Sequence, residues 1–178
     1  MTFKASLDGL AKGVTISVSA LFAIVVAGQV YLYLSGSHFS AFITAIPILL
    51  IYFATYSFRP IGYDITNDEL IIHRTFRNVV IKRKEIKTVE AINKDQMKWT
   101  IRTFGVGGLF GYYGEFVNSN LGDMTWYATR RDKTVLIETI DDKKLIVTPD
   151  EPEAFIKKLS EPAITLSIPA SQTAKSFS

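Results

Sequence analysis

The chain has 178 residues, enough for one ordinary domain with appendages, and a net charge of +3. It has no cysteine, which excludes disulfides, thiolate metal sites and cysteine nucleophiles. Its mean hydropathy of +0.19 is high for a small soluble protein, and the cause is local: residues 13–58 form a run of 46 without Asp, Glu, Lys or Arg.

A short N-terminal segment, 1–12, precedes that run. Within it lie two apolar segments, 13–34 and 41–58, of 22 and 18 residues. A helix needs about 20 apolar residues to cross a hydrocarbon core of roughly 30 Å, so both are expected to span a membrane. The Ser- and Gly-containing stretch 35–40 would turn between them and make a hairpin. A cleaved signal peptide fits less well, because the first segment is too long and a second follows at once. Lys4 and Lys12 precede the first span, Arg59 follows the second, and the connecting turn has no Lys or Arg. The positive-inside rule then places both termini in the cytoplasm. Tyr31, Tyr33, Tyr52 and Tyr56 sit near span ends, Pro47 is a potential kink, and Gln29 is expected to face the other helix or the interface.

From Arg59 the pattern changes to short β-rich runs separated by turns. The runs IGYDIT, ELIIHRTF, VVIKR, EIKTVEAI, MTWYATR, TVLIETI and KLIVT predict seven strands. Asn67 with Asp68, Arg77 with Asn78, Arg131 with Asp132, and Asp141 with Asp142 mark turns. In MTWYATR the side chains of Met124, Trp126 and Ala128 alternate with Thr125, Tyr127 and Thr129, as on a sheet with one buried face. PDEPEAFIKKLSEP then predicts a helix. Asp150 is the expected N-cap with Glu153 three residues on, Pro152 suits the first turn, and Phe155, Ile156 and Leu159 form an apolar stripe. Lys157 and Lys158 suit the C-terminal end, and Pro162 is the expected stop. The tail, 161–178, has a composition that predicts disorder.

Seven strands followed by one amphipathic helix is the order of a pleckstrin-homology fold, in which a bent barrel is plugged at one end by the helix. The segments RTFGVGGLFGYYGEF, WYATRRDKTVLIET and TPDEPEAFIKKL resemble the bacterial pleckstrin-homology-like domain families found behind membrane hairpins, over about residues 60–160. The expected architecture is therefore a two-helix transmembrane hairpin, 13–58, and a cytoplasmic, mainly β PH-like domain, 59–160, in a bacterial inner membrane. The resemblance implies a fold more than an activity.

Six of the eleven glycines fall between residues 101 and 122, which invites comparison with nucleotide loops. No Gly-Lys pair follows, as a P-loop requires, and Phe110 stands where a dinucleotide fingerprint needs its third glycine. Phe104, Leu109, Phe110, Tyr112 and Tyr113 interleave with the glycines, and no charge occurs between Thr103 and Gly114. Two readings follow. The stretch is a bent loop packed on the barrel, or a surface that touches the bilayer or the protein's own helical hairpin.

Residues 74–102 carry nine bases against three acids, a net +6. Arg74, Arg77, Lys82, Arg83, Lys84 and Lys87 are candidates for contact with anionic lipid headgroups beside the anchor, the alternative being a solvated turn. Specific phosphoinositide recognition is not carried over, since bacteria generally lack those lipids, and tethering to a membrane argues against nucleic acid. His38 and His73 share no metal or triad spacing, and no catalytic motif occurs, so no enzyme, cofactor or metal is expected. The leading expectation is a non-enzymatic interaction module for a protein partner, a second copy or the lipid surface. The alternative is an accessory subunit of a membrane transporter or secretion complex.

Overall fold

A computed structural model describes residues 1–36 and 38–161; Ser37 in the expected turn, the Pro162 stop and the tail beyond it lie outside the described residues. Helix α1 (Gly9–Leu34) starts four residues before the uncharged run, because Asp8 caps it by accepting from Ala11 N at 2.7 Å. It ends at Ser35 and Gly36, whose φ of +90° suits a glycine just past a helix C-terminus. Helix α2 (His38–Phe58) returns alongside it and carries Pro47. Tyr52 joins the two, stacking on Phe22 at 4.5 Å and sharing a 2.8 Å hydrogen bond with Ser19. Among the described residues one helix, α1, is long and apolar enough to cross a membrane, with a mean hydropathy of 2.0 and only 6% of its apolar window buried. The second expected span is represented among them by the shorter apolar stretch Ala45–Phe58.

All seven expected strands form, but the described residues contain ten. In chain order they are β1 (Thr2–Lys4), β2 (Pro60–Ile65), β3 (Glu69–Arg74), β4 (Val79–Lys82), β5 (Ile86–Ile92), β6 (Ile101–Gly108), β7 (Gly111–Asn118), β8 (Gly122–Ala128), β9 (Thr134–Thr139) and β10 (Lys144–Val147). The expected closed barrel is also corrected. The strands form two separate sheets, β1-β2-β3-β4 and β5-β9-β10-β8-β7-β6. A 3-10 turn at Arg83–Glu85 interrupts the chain between β4 and β5, so the ladder does not continue from one sheet into the other. Pairing is antiparallel except between β8 and β10.

The six-stranded sheet is covered on both faces. On one, Val135, Ile137, Leu145 and Val147 meet Tyr63, Leu70 and Ile72 of the other sheet, together with Phe155 and Leu159 of α3 (Pro152–Ser160). On the other, Met124, Trp126 and Ala128 of β8 point inward as the alternation predicts, and Ala11 at the foot of α1 closes over them. Two-sided burial explains why β9 reads as a continuous apolar run rather than an alternating one. Phe3 of β1 meets the edge of Phe155 at 5.2 Å, so the N-terminal strand is part of this core. The Tyr63 hydroxyl crosses the core, donating to Tyr127 O at 2.6 Å and accepting from Thr148 N at 3.0 Å, and burial pushes its pKa up to about 12.

Asp150 does not cap α3. Glu151 occupies the cap position and makes no side-chain cap bond. The Asp150 carboxylate instead accepts from Ser6 N at 3.1 Å, Ser6 Oγ at 2.6 Å and Arg130 Nη1 at 3.1 Å, fastening the segment before α1 to the β8–β9 turn. Burial acts to raise its pKa, and the bonds from Ser6 and Arg130 outweigh that and hold it below the ordinary carboxylate value. A depressed folded-state pKa contributes stability above the unfolded value of about 4, which is lost as pH falls through the folded one. Asp150→Asn is therefore expected to cost about 1–2 kcal/mol at neutral pH, a figure discounted for partial exposure. Melting of wild type and variant between pH 7 and 3 checks this: the two curves should converge as the pH falls.

Candidate functional site: a kinked hairpin docked on the helical pair

The glycine stretch expected to be a bent loop is a β-hairpin. Its five glycines from 105 to 114 dilute the β-branched signal that marks the other strands, which hides β6 and β7 in the sequence. Gly105 and Gly114 face each other across the ladder, with φ of +107° and +119°. A Cβ on either would overlap a backbone carbonyl of the opposite strand, Tyr113 O or Phe104 O. Only a glycine pair lets both strands bend at the same level. Arg102 and Phe104 flank a bulge at the same place.

Beyond the kink, the hairpin reaches the helices. Leu109 and Phe110 form its tip, closed by the Gly108–Gly111 pair. The Phe110 ring is buried, with Tyr52 and Tyr56 of α2 edge-on to it, each at 5.4 Å between centroids. Its backbone N–H donates to Thr15 Oγ1 of α1 at 2.9 Å. The Tyr113 hydroxyl donates to the Thr55 carbonyl of α2, and burial pushes its pKa up, so it keeps the proton it donates. A Cβ at Gly108 would sit 3.5 Å from Val14, so that strand end lies flat on α1. Arg59 stacks over Tyr56 at 4.3 Å and reaches Phe110 at 5.9 Å. The Tyr112 hydroxyl lies 3.4 Å from both oxygens of Asp8, and Arg131 covers its ring at 4.6 Å. Of the five aromatic and apolar candidates, Phe110, Tyr112 and Tyr113 thus meet the helices or the α1 cap. Leu109 is half-buried, and Phe104 is 77% exposed.

The six basic candidates do not form one patch. Strands β2 and β3 are antiparallel, pairing Pro60 with Arg74 at the end beside α2 and Ile65 with Leu70 at the other. Arg74 lies over the Phe58 ring at 5.5 Å, and nearby Phe76 donates its N–H to Ser57 O, so Arg74 and Arg77 are at the helix end. Lys82 pairs with Glu69 in register, so residues 82–84 are at the far end, with Lys87 in the next strand bonded to Asp142 at 3.2 Å.

Arg83 has a different task there. Its guanidinium donates to Thr66 O, Asn67 O, Lys158 O, Leu159 O and Glu161 O, clamping the C-terminus of α3 to the β2–β3 turn. A lysine cannot present that planar fork. Arg83→Lys is expected to lower stability by about 1–2 kcal/mol, whereas Lys84→Gln leaves it unchanged, as thermal melts would show.

His73 pairs with Asp64 across β2 and β3 at 2.7 Å, and among the described residues no group of three His, Cys, Asp or Glu side chains could hold a metal ion. The docking partners Val14, Thr15 and Thr55 carry no signal in the sequence, since they read as ordinary residues of an apolar helix. No curated protein and no solved structure matches the chain. A family model described as a bacterial PH domain matches residues 61–162, more than half of its length, and the chain belongs to that family.

Proposed function

We propose that the chain is a membrane-anchored, non-enzymatic interaction module, in which α1 and α2 both span the bilayer and hold the PH domain on its cytoplasmic face. PH domains are in general non-catalytic interaction modules. The observation that carries the reading is the docked hairpin: Phe110, Tyr112 and Tyr113 fasten the domain to the foot of both helices. A domain fixed in this way holds one face to the headgroups and the opposite face at constant height above them. Arg74 and Arg77 belong to the first face, where an anionic leaflet attracts each by about 1 kcal/mol. Lys82, Lys84 and Lys87 belong to the second and suit a protein partner with an acidic surface. The outward apolar surface of α1 would serve equally to dock a transporter or secretion complex, and stoichiometric co-purification of such a complex in mild detergent would favour that use.

The absence of cysteine makes the topology testable with single substitutions. Ser35→Cys should react with an impermeant maleimide in intact spheroplasts, and Lys84→Cys only after lysis. Labelling of Lys84→Cys before lysis would overturn the cytoplasmic placement.

A further inference from the structure

The kink in β6 and β7 opens a cleft of about 650 Å³ against the last two turns of α2. Ile51, Ala54 and Phe58 line one wall, and Phe104, Val106 and Tyr127 the other, so most of its surface is apolar. Arg74 and Glu115 are the two charged side chains within it. No ion pair joins them among the described residues, nor does any other carboxylate pair with Arg74. Arg74 spends its Nε on Arg77 O at 2.6 Å and lays its guanidinium over Phe58 and Tyr127. The Glu115 carboxylate accepts from the Thr125 hydroxyl at 3.2 Å. Tyr127 lies between the two: Arg74 covers its ring, and Thr125, two residues before it on β8, is the cross-strand partner of Glu115.

If α2 spans the bilayer as proposed above, this cleft lies where acyl chains meet headgroups. Its occupant must then be apolar along most of its length and complementary to a cation and an anion at one end. A purely anionic headgroup would meet Glu115, and a cationic peptide would meet Arg74. A headgroup that carries both signs satisfies both. An ammonium with N–H groups can donate to Glu115, which a quaternary choline cannot. We propose that the cleft between α2 and the kinked hairpin holds one phospholipid with an ethanolamine-type headgroup, its phosphate on Arg74, its ammonium on Glu115 and an acyl chain against Ile51 and Val106.

The test is native mass spectrometry of the full chain, released from nanodiscs of phosphatidylethanolamine, phosphatidylglycerol and phosphatidylcholine in equal parts. The expected result is one retained phosphatidylethanolamine, reduced about tenfold in Arg74→Gln and in Glu115→Gln and unchanged in Lys84→Gln. Preferential retention of either other lipid, retention of none, or a Glu115→Gln chain that keeps its phosphatidylethanolamine would overturn the proposal. Carbonate extraction of the cell membranes in which the full chain is expressed separates the two readings: a chain that resists extraction yet retains no such lipid sinks only the lipid site, and a chain that is extracted sinks the anchor as well.

Discussion

Gly114→Ala is expected to detach the hairpin and lower stability by about 3 kcal/mol or more. The residue has φ of +119°, which an L side chain rarely adopts, and its added Cβ would meet Phe104 O and lie 2.7 Å from Gly105 Cα. Both obstacles are backbone, so relief requires β6 and β7 to separate, and with them the contacts of Phe110 and Tyr113 on the helices. Gly105→Ala meets the mirror-image obstacle and should behave alike. Two other glycines calibrate the effect. Gly122 has φ of +74° but open space around it, so Gly122→Ala should cost only about 1 kcal/mol of conformational strain. A Cβ at Gly107 meets only the flexible end of Arg102, so Gly107→Ala should be close to neutral. Thermal melts of the full chain in detergent, read together with protease cleavage between residues 103 and 114, give the ranking.

Phe155→Ala is expected to cost about 3–5 kcal/mol, a large share of the roughly 5–15 kcal/mol that holds a domain folded. The ring is fully buried, with Phe3 at 5.2 Å and Tyr63 at 5.8 Å, both edge-on. These neighbours come from β1 and β2, which cannot close over the void without breaking the Tyr63 bonds to Tyr127 and Thr148. Hydrogen exchange should then show α3 and β1 opening together, which separates loss of this core from loss of the hairpin.

The parts of the fold that were legible are those whose signal is local. ELIIHRTF and TVLIETI announce strands through β-branched residues between turns, and Phe155, Ile156 and Leu159 announce a helix face by their spacing. What stayed hidden depends on partners far along the chain. Asp150 looks like a cap beside Pro152, yet its carboxylate is claimed by Ser6, 144 residues away. Arg83 sits in a basic triplet that reads as one patch, yet its bonds reach 16–17 residues back along the chain and 75–78 residues forward. The glycine stretch showed its aromatic content but not its strands, because strand pairing there follows from two glycines facing each other, a relation that exists only once the register is set. Its aromatic residues still pointed to a contact surface, while Thr15 and Thr55, which complete it, look like any other position of an apolar helix.

Contact between the hairpin tip and α1 fastens the PH domain to its anchor in the full chain. Thr15→Cys with Phe110→Cys tests it, since the backbone nitrogen of Phe110 is 2.9 Å from Thr15 Oγ1 and the pair lies within reach of a disulfide. The control is Thr15→Cys with Trp99→Cys, a site beyond the base of the hairpin. Rapid intramolecular oxidation of the first pair, with none in the second, is the predicted result. Equal rates for the two would contradict a docked hairpin and leave the PH domain as a tethered body rather than one fastened to its anchor.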